Sequence, residues 1–260
     1  MRELFEDISG HSPLDPQESA RQSARVPLRK RFYQIAAFTE TPDGFAVMLD
    51  DKQVRTPSRE PLVVPTRDIA QAIVDEWNAQ VDVIDPTTMP VTRLANSVIA
   101  GVVDRVDDVA EDAAKYLQSD LLFYRASHPE ALIAREAEHW DPVLDWARDD
   151  LGAHFIMAEG IMHVRQPDQA IAAAREAFPT DPWAVGALHV ATTVTGSALL
   201  ALALMHGVRD IDQVWAAANV DEDWNVAQWG ADEEAMARRA GRLRDLRAAA
   251  LMLGTRPASA

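Results

Sequence analysis

Short apolar runs separated by turn residues open the first folded part of the chain. They predict strands near residues 31–38, 45–50, 52–56 and 62–64. The Pro-Asp-Gly sequence at 42–44 separates the first two runs and suits a hairpin turn, because proline presets φ and glycine tolerates a positive φ. A helix is then predicted from Thr66, a capping residue, since Ile69, Ile73 and Trp77 recur at every fourth position.

Beyond Pro90 the apolar spacing changes to that of helices. Helices are predicted near residues 92–104, 106–118, 130–150, 168–178, 183–206, 210–229 and 232–253, with a short extended element at 154–164. The expected fold class is α+β, with a small N-terminal β-rich domain and a larger all-helical C-terminal domain. The predicted divisions are a flexible polar tail at 1–28, the β-rich domain with one helix at 29–90, and the helical domain at 91–260.

One long segment carries no formal charge. It lies between Asp181 and Arg209, and its length would allow it to span a membrane. Glycine, histidine, threonine and serine dilute its apolar character, and no basic cluster marks a cytoplasmic flank. A buried core helix, or two helices meeting near Gly196, is therefore favoured over a membrane anchor at residues 183–206.

Composition narrows the possible functions. The chain has 41 acidic and 25 basic residues and a net charge of −16, so a nucleic-acid partner is disfavoured. Its only notable basic run, residues 29–31, is too short to change that. The absence of cysteine excludes disulfides, thiolate nucleophiles and cysteine-ligated metals, and it fits a reducing cytosol. The N-terminal residues lack the apolar core of a secretory signal.

Motifs for catalysis are missing or incomplete. The chain has neither of the common glycine-rich phosphate-binding motifs, and Gly196-Ser197 does not belong to a nucleophile elbow. Glu136 and His139 form one Glu-x-x-His motif, but a carboxylate-bridged metal site needs a second copy, so an interhelix or surface pair is favoured. No cofactor and no metal are predicted.

The segment from Val220 to Arg242 combines acids with two tryptophans. If the residues up to 229 are helical, Trp224 and Trp229 lie about 140° apart around the axis, too far for one narrow core stripe. Either the helix is sandwiched between neighbours or one indole lines a surface groove. Gly230 is predicted to end this helix and Asp232 to start the next.

Two adjacent acids in that next helix have different surroundings. Glu234 has Arg238 four residues later as an ion-pair partner, whereas Glu233 has no base at the corresponding positions. Acids in a first helical turn gain roughly 0.3–1 kcal/mol from the helix dipole, which is a sufficient structural reason for both. Glu233 is nevertheless the carboxylate best placed to contact something outside its own helix. The alternative is a metal-assisted or acid–base hydrolase that uses Asp221, Glu222, Asp223 and Glu233, with or without His139.

Several motifs in a fixed order resemble a known family. They are KRFY, LDDKQVRTP, DEWNAQ, MPVTRLANS, DLLFYRA, WDPVLDWA, TGSALLALAL and DEDWNVAQWGADEEA, spread over about residues 30 to 253. Together they resemble the F-type ATP synthase assembly chaperones that act on the alpha subunit.

The resemblance implies a non-enzymatic chaperone that binds the unassembled alpha subunit and prevents its aggregation until the subunit joins the catalytic head. The family's WGxxE pattern falls on Trp229, Gly230 and Glu233, and DEWNAQ places Trp77 at its other marked tryptophan. The expected partner-binding residues are Glu233, Trp229, Trp224, Asp232 and Glu222. No membrane span is expected, and the absence of a targeting extension favours a bacterial, cytoplasmic protein.

Overall fold

The computed structural model describes residues 28–160 and 162–254. The predicted polar tail at 1–28 therefore lies outside the described residues, except for Leu28. The chain divides into two compact units between Asp104 and Arg105. Six of the described strands lie in the first unit and the second unit is mainly helical, so the predicted α+β class is confirmed.

The N-terminal unit is built around a small antiparallel sheet. Its strands are β1 (Arg29–Lys30), β2 (Ala36–Thr41), β3 (Gly44–Leu49), β4 (Lys52–Gln53), β5 (Val63–Val64) and β6 (Val83–Ile84). Strand β3 pairs with β2, β4 and β5, while β1 and β6 form a separate ribbon. The predicted hairpin turn is confirmed, since Thr41 pairs with Gly44. Gly44 has a φ of 130°, and a Cβ there would lie 2.5 Å from the Val64 carbonyl oxygen.

Strand β2 begins later than the predicted strand at 31–38. The backbone N–H groups of Gln34 and Ile35 donate to the Asp50 carboxylate at 3.0 Å instead of to a neighbouring strand. A side chain thus replaces the sheet partner at these two positions. The sequence pattern shows apolar alternation but does not show this competition.

Two helices complete the N-terminal unit. Helix α1 (Arg67–Asn78) begins as predicted, with the Thr66 hydroxyl accepting from the Ile69 N–H at 3.3 Å. The Asn78 side chain exchanges two hydrogen bonds with the Ala36 backbone, which fixes α1 against β2. Helix α2 (Pro90–Ser97) continues into a π-helical turn at Val98–Val102, so the predicted helix at 92–104 starts and ends earlier.

The C-terminal unit is a bundle of helices. These are α3 (Val106–Ala114), α4 (Glu130–Asp149), α5 (Asp168–Glu176), α6 (Pro182–Thr195), α7 (Ala198–Met205), α8 (Ile211–Ala218), α9 (Val220–Trp229) and α10 (Glu233–Met252). Two short parallel strands, β7 (Tyr124–Arg125) and β8 (Ala158–Glu159), accompany them, and β8 lies within the predicted extended element.

The uncharged segment forms two helices in the core. Gly196 has a φ of 74° and ends α6, and the Ser197 hydroxyl caps α7 by accepting from the Leu200 N–H at 3.0 Å. Residues 198–204 are all buried, which explains why α7 is apolar on every side. The core interpretation with a break at Gly196 is confirmed. Among the described residues, no helix is both long and apolar enough to cross a membrane.

The single helix predicted at 210–229 is wrong. Asn219 leaves the helical conformation, with φ −124° and ψ 19°, and separates α8 from α9. Its buried side chain donates from Nδ2 to the Trp215 carbonyl at 2.7 Å, which stabilises the end of α8. Helix α4 is tied to α8, because Trp140 is 1% exposed and its indole N–H donates to the Ala217 carbonyl at 2.8 Å.

Candidate functional site

The predicted partner-binding residues lie on α9 and the first half of α10, residues 220–245, here called the α9–α10 arm. Val220 is the one buried residue of α9, and the first buried residue of α10 is Leu246. The arm therefore contributes little to the apolar core. Polar and aromatic contacts hold it in place.

Two arginines of α10 hold α9 against α8. The Arg239 Nη1 lies 2.5 Å from the Asp223 carboxylate, and the Arg242 Nη1 lies 3.6 Å from the Glu222 carboxylate. Both guanidinium groups also lie over the Trp215 ring, at 5.6 and 5.7 Å from its centroid. Glu222 and Asp223 thus serve first as internal ion-pair partners.

A third acid of α9 contacts α4. Asp221 is hydrogen-bonded to Glu136, which is 2% exposed and also accepts from the Ala126 N–H at 2.9 Å. Burial raises the pKa of both carboxyl groups above the usual range of aspartate and glutamate. Glu136 therefore forms an interhelix pair, as the sequence favoured, but its carboxyl partner is Asp221 on α9.

The two tryptophans of α9 have different environments. Trp224 is partly buried, and the Arg135 guanidinium lies 5.5 Å from its ring centroid. Trp229 is 86% exposed at the end of the helix. The predicted angular separation thus places one indole against the bundle and the other in solvent.

The turn after Trp229 presents a carboxylate beside this exposed indole. Gly230 ends α9, and Asp232 caps α10 by accepting from the Ala235 N–H at 2.8 Å, as predicted. Glu234 pairs with Arg238 at 2.7 Å, which is also confirmed. Glu233 is exposed and has no hydrogen bond or ion pair with another described residue.

Met236 extends the exposed apolar surface by one turn of α10. It is 41% exposed, although the apolar spacing of α10 would place it on a core-facing stripe. Trp229, Asp232, Glu233 and Met236 are here called the arm tip. Tryptophan and methionine are enriched in protein interfaces, and a carboxylate without an internal partner is available for a cation on another molecule.

The carboxylates of the hydrolase alternative face separate partners. Asp221 is engaged by Glu136, Glu222 by Arg242 and Asp223 by Arg239. Within residues 28–160 and 162–254, no group of three or more histidine, aspartate or glutamate side chains could hold a metal ion. These pairs attach α9 to α4 and to α10, and they leave the arm tip exposed.

Sequence reasoning missed the residues that attach the arm. Arg239 and Arg242 were not singled out, and neither was Trp215, because their partners lie on other helices. The sequence signal is that Arg239 and Arg242 are three positions apart and so lie on neighbouring positions of one helix face. That spacing does not reveal which carboxylates they meet.

Known proteins match this chain over most of its length. Residues 30–148 match the family model of the ATP12 chaperone protein. A proposed chaperone from Agrobacterium tumefaciens is 47% identical over 98% of this chain and 97% of its own, with a TM-score of 0.82. Atp12 from Paracoccus denitrificans is 39% identical over 87% of this chain and 97% of its own, with a TM-score of 0.78. A point mutant of the Paracoccus protein gives the same values.

Proposed function

Because this chain belongs to the ATP12 chaperone family, we propose that it is an ATP synthase assembly chaperone that binds the unassembled alpha subunit. It prevents aggregation of that subunit until the subunit joins the catalytic head, and it catalyses no reaction. A subunit that buries an apolar interface in the finished complex exposes that interface beforehand, and such a patch promotes aggregation. A temporary partner that covers it is displaced later by a larger or better matched interface.

The arm tip is the proposed contact surface. The observation that carries this proposal is the 86% exposure of Trp229 beside Glu233, which has no partner among the described residues. Buried tryptophan is among the side chains that contribute most to binding once a partner covers it. We expect the alpha subunit to cover Trp229 and to place a lysine or arginine near Glu233.

The other predicted contact residues have more limited roles in this proposal. Asp232 orients the first turn of α10, and Trp224 and Glu222 lie further along α9 with internal partners. They support the position of the tip, and their direct contact with the alpha subunit stays a prediction. The proposed place of action is the bacterial cytoplasm, which agrees with the bacterial origin of the two similar proteins.

Co-expression with the alpha subunit tests this proposal. The wild-type chain should increase the soluble fraction of the alpha subunit and co-purify with it. Trp229→Ala and Glu233→Lys should each weaken the complex by roughly 10- to 30-fold, the size expected at an interface hot spot. Both side chains are exposed, so the circular-dichroism melting temperature should stay near that of the wild type.

Glu234→Lys is the matched control. It places the same charge reversal in the same helical turn and loses the same favourable helix-dipole interaction. It should retain binding to the alpha subunit. Equal aggregation of the alpha subunit with and without the chaperone would contradict the proposed function. Equal weakening by Glu233→Lys and Glu234→Lys would contradict the assignment of the site.

A further inference from the structure

A second candidate surface lies wholly within the N-terminal unit. It is a groove of about 770 Å³, here called the β-unit groove, and its lining is largely apolar. Leu49 and Val54 contribute buried side chains, while Leu28 and Phe32 are 46% and 57% exposed. This volume falls in the usual range of binding pockets and is large enough for one or two apolar side chains.

Three cations line the same groove. They are Arg29, Lys52 and Arg55, and none forms an ion pair with a carboxylate among the described residues. Asp50 also lines the groove, but it accepts hydrogen bonds from the backbone N–H groups that precede β2. With Asp51, the lining holds two acids against three cations, a formal charge of +1 in a chain whose net charge is −16.

Trp77 contributes its aromatic ring to this lining. Its ring lies edge-on to Tyr33, with centroids 5.5 Å apart, and its carbonyl accepts from the Tyr33 hydroxyl. The indole N–H is shielded from water and has no acceptor among the described residues. Because this N–H is buried, Trp77 offers ring surface and not a hydrogen-bond donor to the groove.

The arm tip alone is small for a complex that must hold its client. A stable protein interface uses about 20–30 residues on each side, far more than the arm tip offers. A chaperone that retains its client therefore needs additional contact surface. The β-unit groove combines an apolar lining with exposed cations, a combination that suits an apolar polypeptide segment bearing a carboxylate.

We infer that the β-unit groove binds a short segment of the client polypeptide in which a large apolar side chain is flanked by aspartate or glutamate. The apolar side chain contacts Phe32 and the groove lining, and the flanking carboxylate pairs with Lys52 or Arg55. This inference rests on the proposed function, because it takes the alpha subunit as the client.

A peptide array tests this specificity directly. Overlapping 15-residue segments of the alpha subunit are probed with the full-length chaperone. Bound segments should carry an acid within two positions of a large apolar residue. Lys52→Glu combined with Arg55→Glu should reduce their binding at least tenfold, and both side chains are exposed, so the fold should be retained. Binding without any preference for acidic segments would overturn the inference.

The matched control reverses two exposed cations outside the groove. Arg244→Glu combined with Arg247→Glu changes the net charge by the same amount on α10 and should leave array binding unchanged. Equal losses in both double variants would mean that net charge, and not the groove, attracts the segments, and this result would also overturn the inference. Phe32→Ser provides an uncharged second test and should lower binding at unchanged charge.

Capture of the intact alpha subunit separates this inference from the proposed function. If the wild type and the groove variant capture the subunit equally well, the groove inference fails and the proposed function stands. If the wild type captures none, the proposed function fails.

Residues 3–8 of the chain, Glu-Leu-Phe-Glu-Asp-Ile, have the same acidic and apolar chemistry but lie outside the described residues. The double variant Leu4→Asp with Phe5→Asp tests whether this segment occupies the groove. A several-fold gain in array binding would show that it does, and it would overturn the inference that the groove binds the client.

Discussion

Asp120 has no exposed surface, and its carboxylate joins two parts of the C-terminal unit. One oxygen accepts from the Leu122 N–H and the other from the Leu199 N–H in the first turn of α7, each at 3.2 Å. Burial raises the pKa of Asp120 to about 6, although these N–H donors and the Ser197 hydroxyl act in the opposite direction. Its contribution to stability therefore depends on pH between about 4 and 6.

The variant Asp120→Asn should remove that dependence. A pKa that is higher in the folded protein means that the folded state binds the proton more tightly. The wild type should therefore lose stability as the pH rises from about 4 through 6, by up to about 1.4 kcal/mol per pH unit from this group. Urea unfolding of both proteins between pH 4.5 and 7.5 measures the effect. The difference between their free energies of unfolding removes the contribution of the other acidic residues. Parallel curves would show that Asp120 is ionised throughout this range.

Single residues mark the limit of prediction from sequence. The pattern separated Glu233 from Glu234 correctly, because an ion pair within one helix depends only on spacing. The pairing of Glu136 with Asp221 and the burial of Asp120 depend on residues more than 75 positions away in the chain. No local rule identifies such partners.

At the scale of elements, the α9–α10 arm differs from the helices beside it. Helix α7 is buried over residues 198–204, whereas the arm is attached chiefly by two arginines that contact acids and an indole. Such contacts are individually worth about 1 kcal/mol or less at partly exposed sites. The arm should therefore open locally more often than the core.

Removal of Arg239 should increase that local opening. Arg239→Gln loses both the Asp223 pair and the contact with the Trp215 ring. Amide hydrogen exchange at residues 221–229 should accelerate about tenfold, which corresponds to about 1.4 kcal/mol. Exchange in α7 should stay unchanged.

Arg238→Gln is the control for this experiment. It removes an exposed pair with Glu234 that lies within one helix and contributes only about 0.3–0.5 kcal/mol. Exchange in α9 should change little. An equal effect of both substitutions would mean that general charge, and not the contacts of Arg239 with Asp223 and Trp215, retains the arm.

The elements themselves were predicted well where the chain carries its own signals. Gly196, Gly230, Thr66 and Asp232 each marked a helix end that the structure confirms, because caps act within a few residues. The break at Asn219 was missed, since asparagine at a turn competes with helix only when its side chain finds an acceptor. The acceptor here is the Trp215 carbonyl, four residues earlier in the chain.

For the whole molecule, charge is the dominant long-range effect. The excess acidic side chains, which give the chain a net charge of −16, repel one another in the folded state. This repulsion acts over about 30 Å at 10 mM salt but over about 8 Å at 150 mM. The melting temperature should therefore rise by about 2–4 °C between these concentrations, corresponding to about 1 kcal/mol. Differential scanning calorimetry at pH 7.5 measures the change. Near the isoelectric point the rise should vanish, and an undiminished rise there would rule out self-repulsion as its cause.

The difference in burial between α7 and the arm has an evolutionary consequence. Under the proposed function, substitutions on the arm tip should alter recognition and leave the buried helices unchanged, whereas nearly every change within residues 198–204 disturbs packing. Mutations that follow a drifting client sequence thus arise at positions where selection for foldability is weak. If the arm tip binds the client as proposed, its specificity can change one surface residue at a time while the fold is retained.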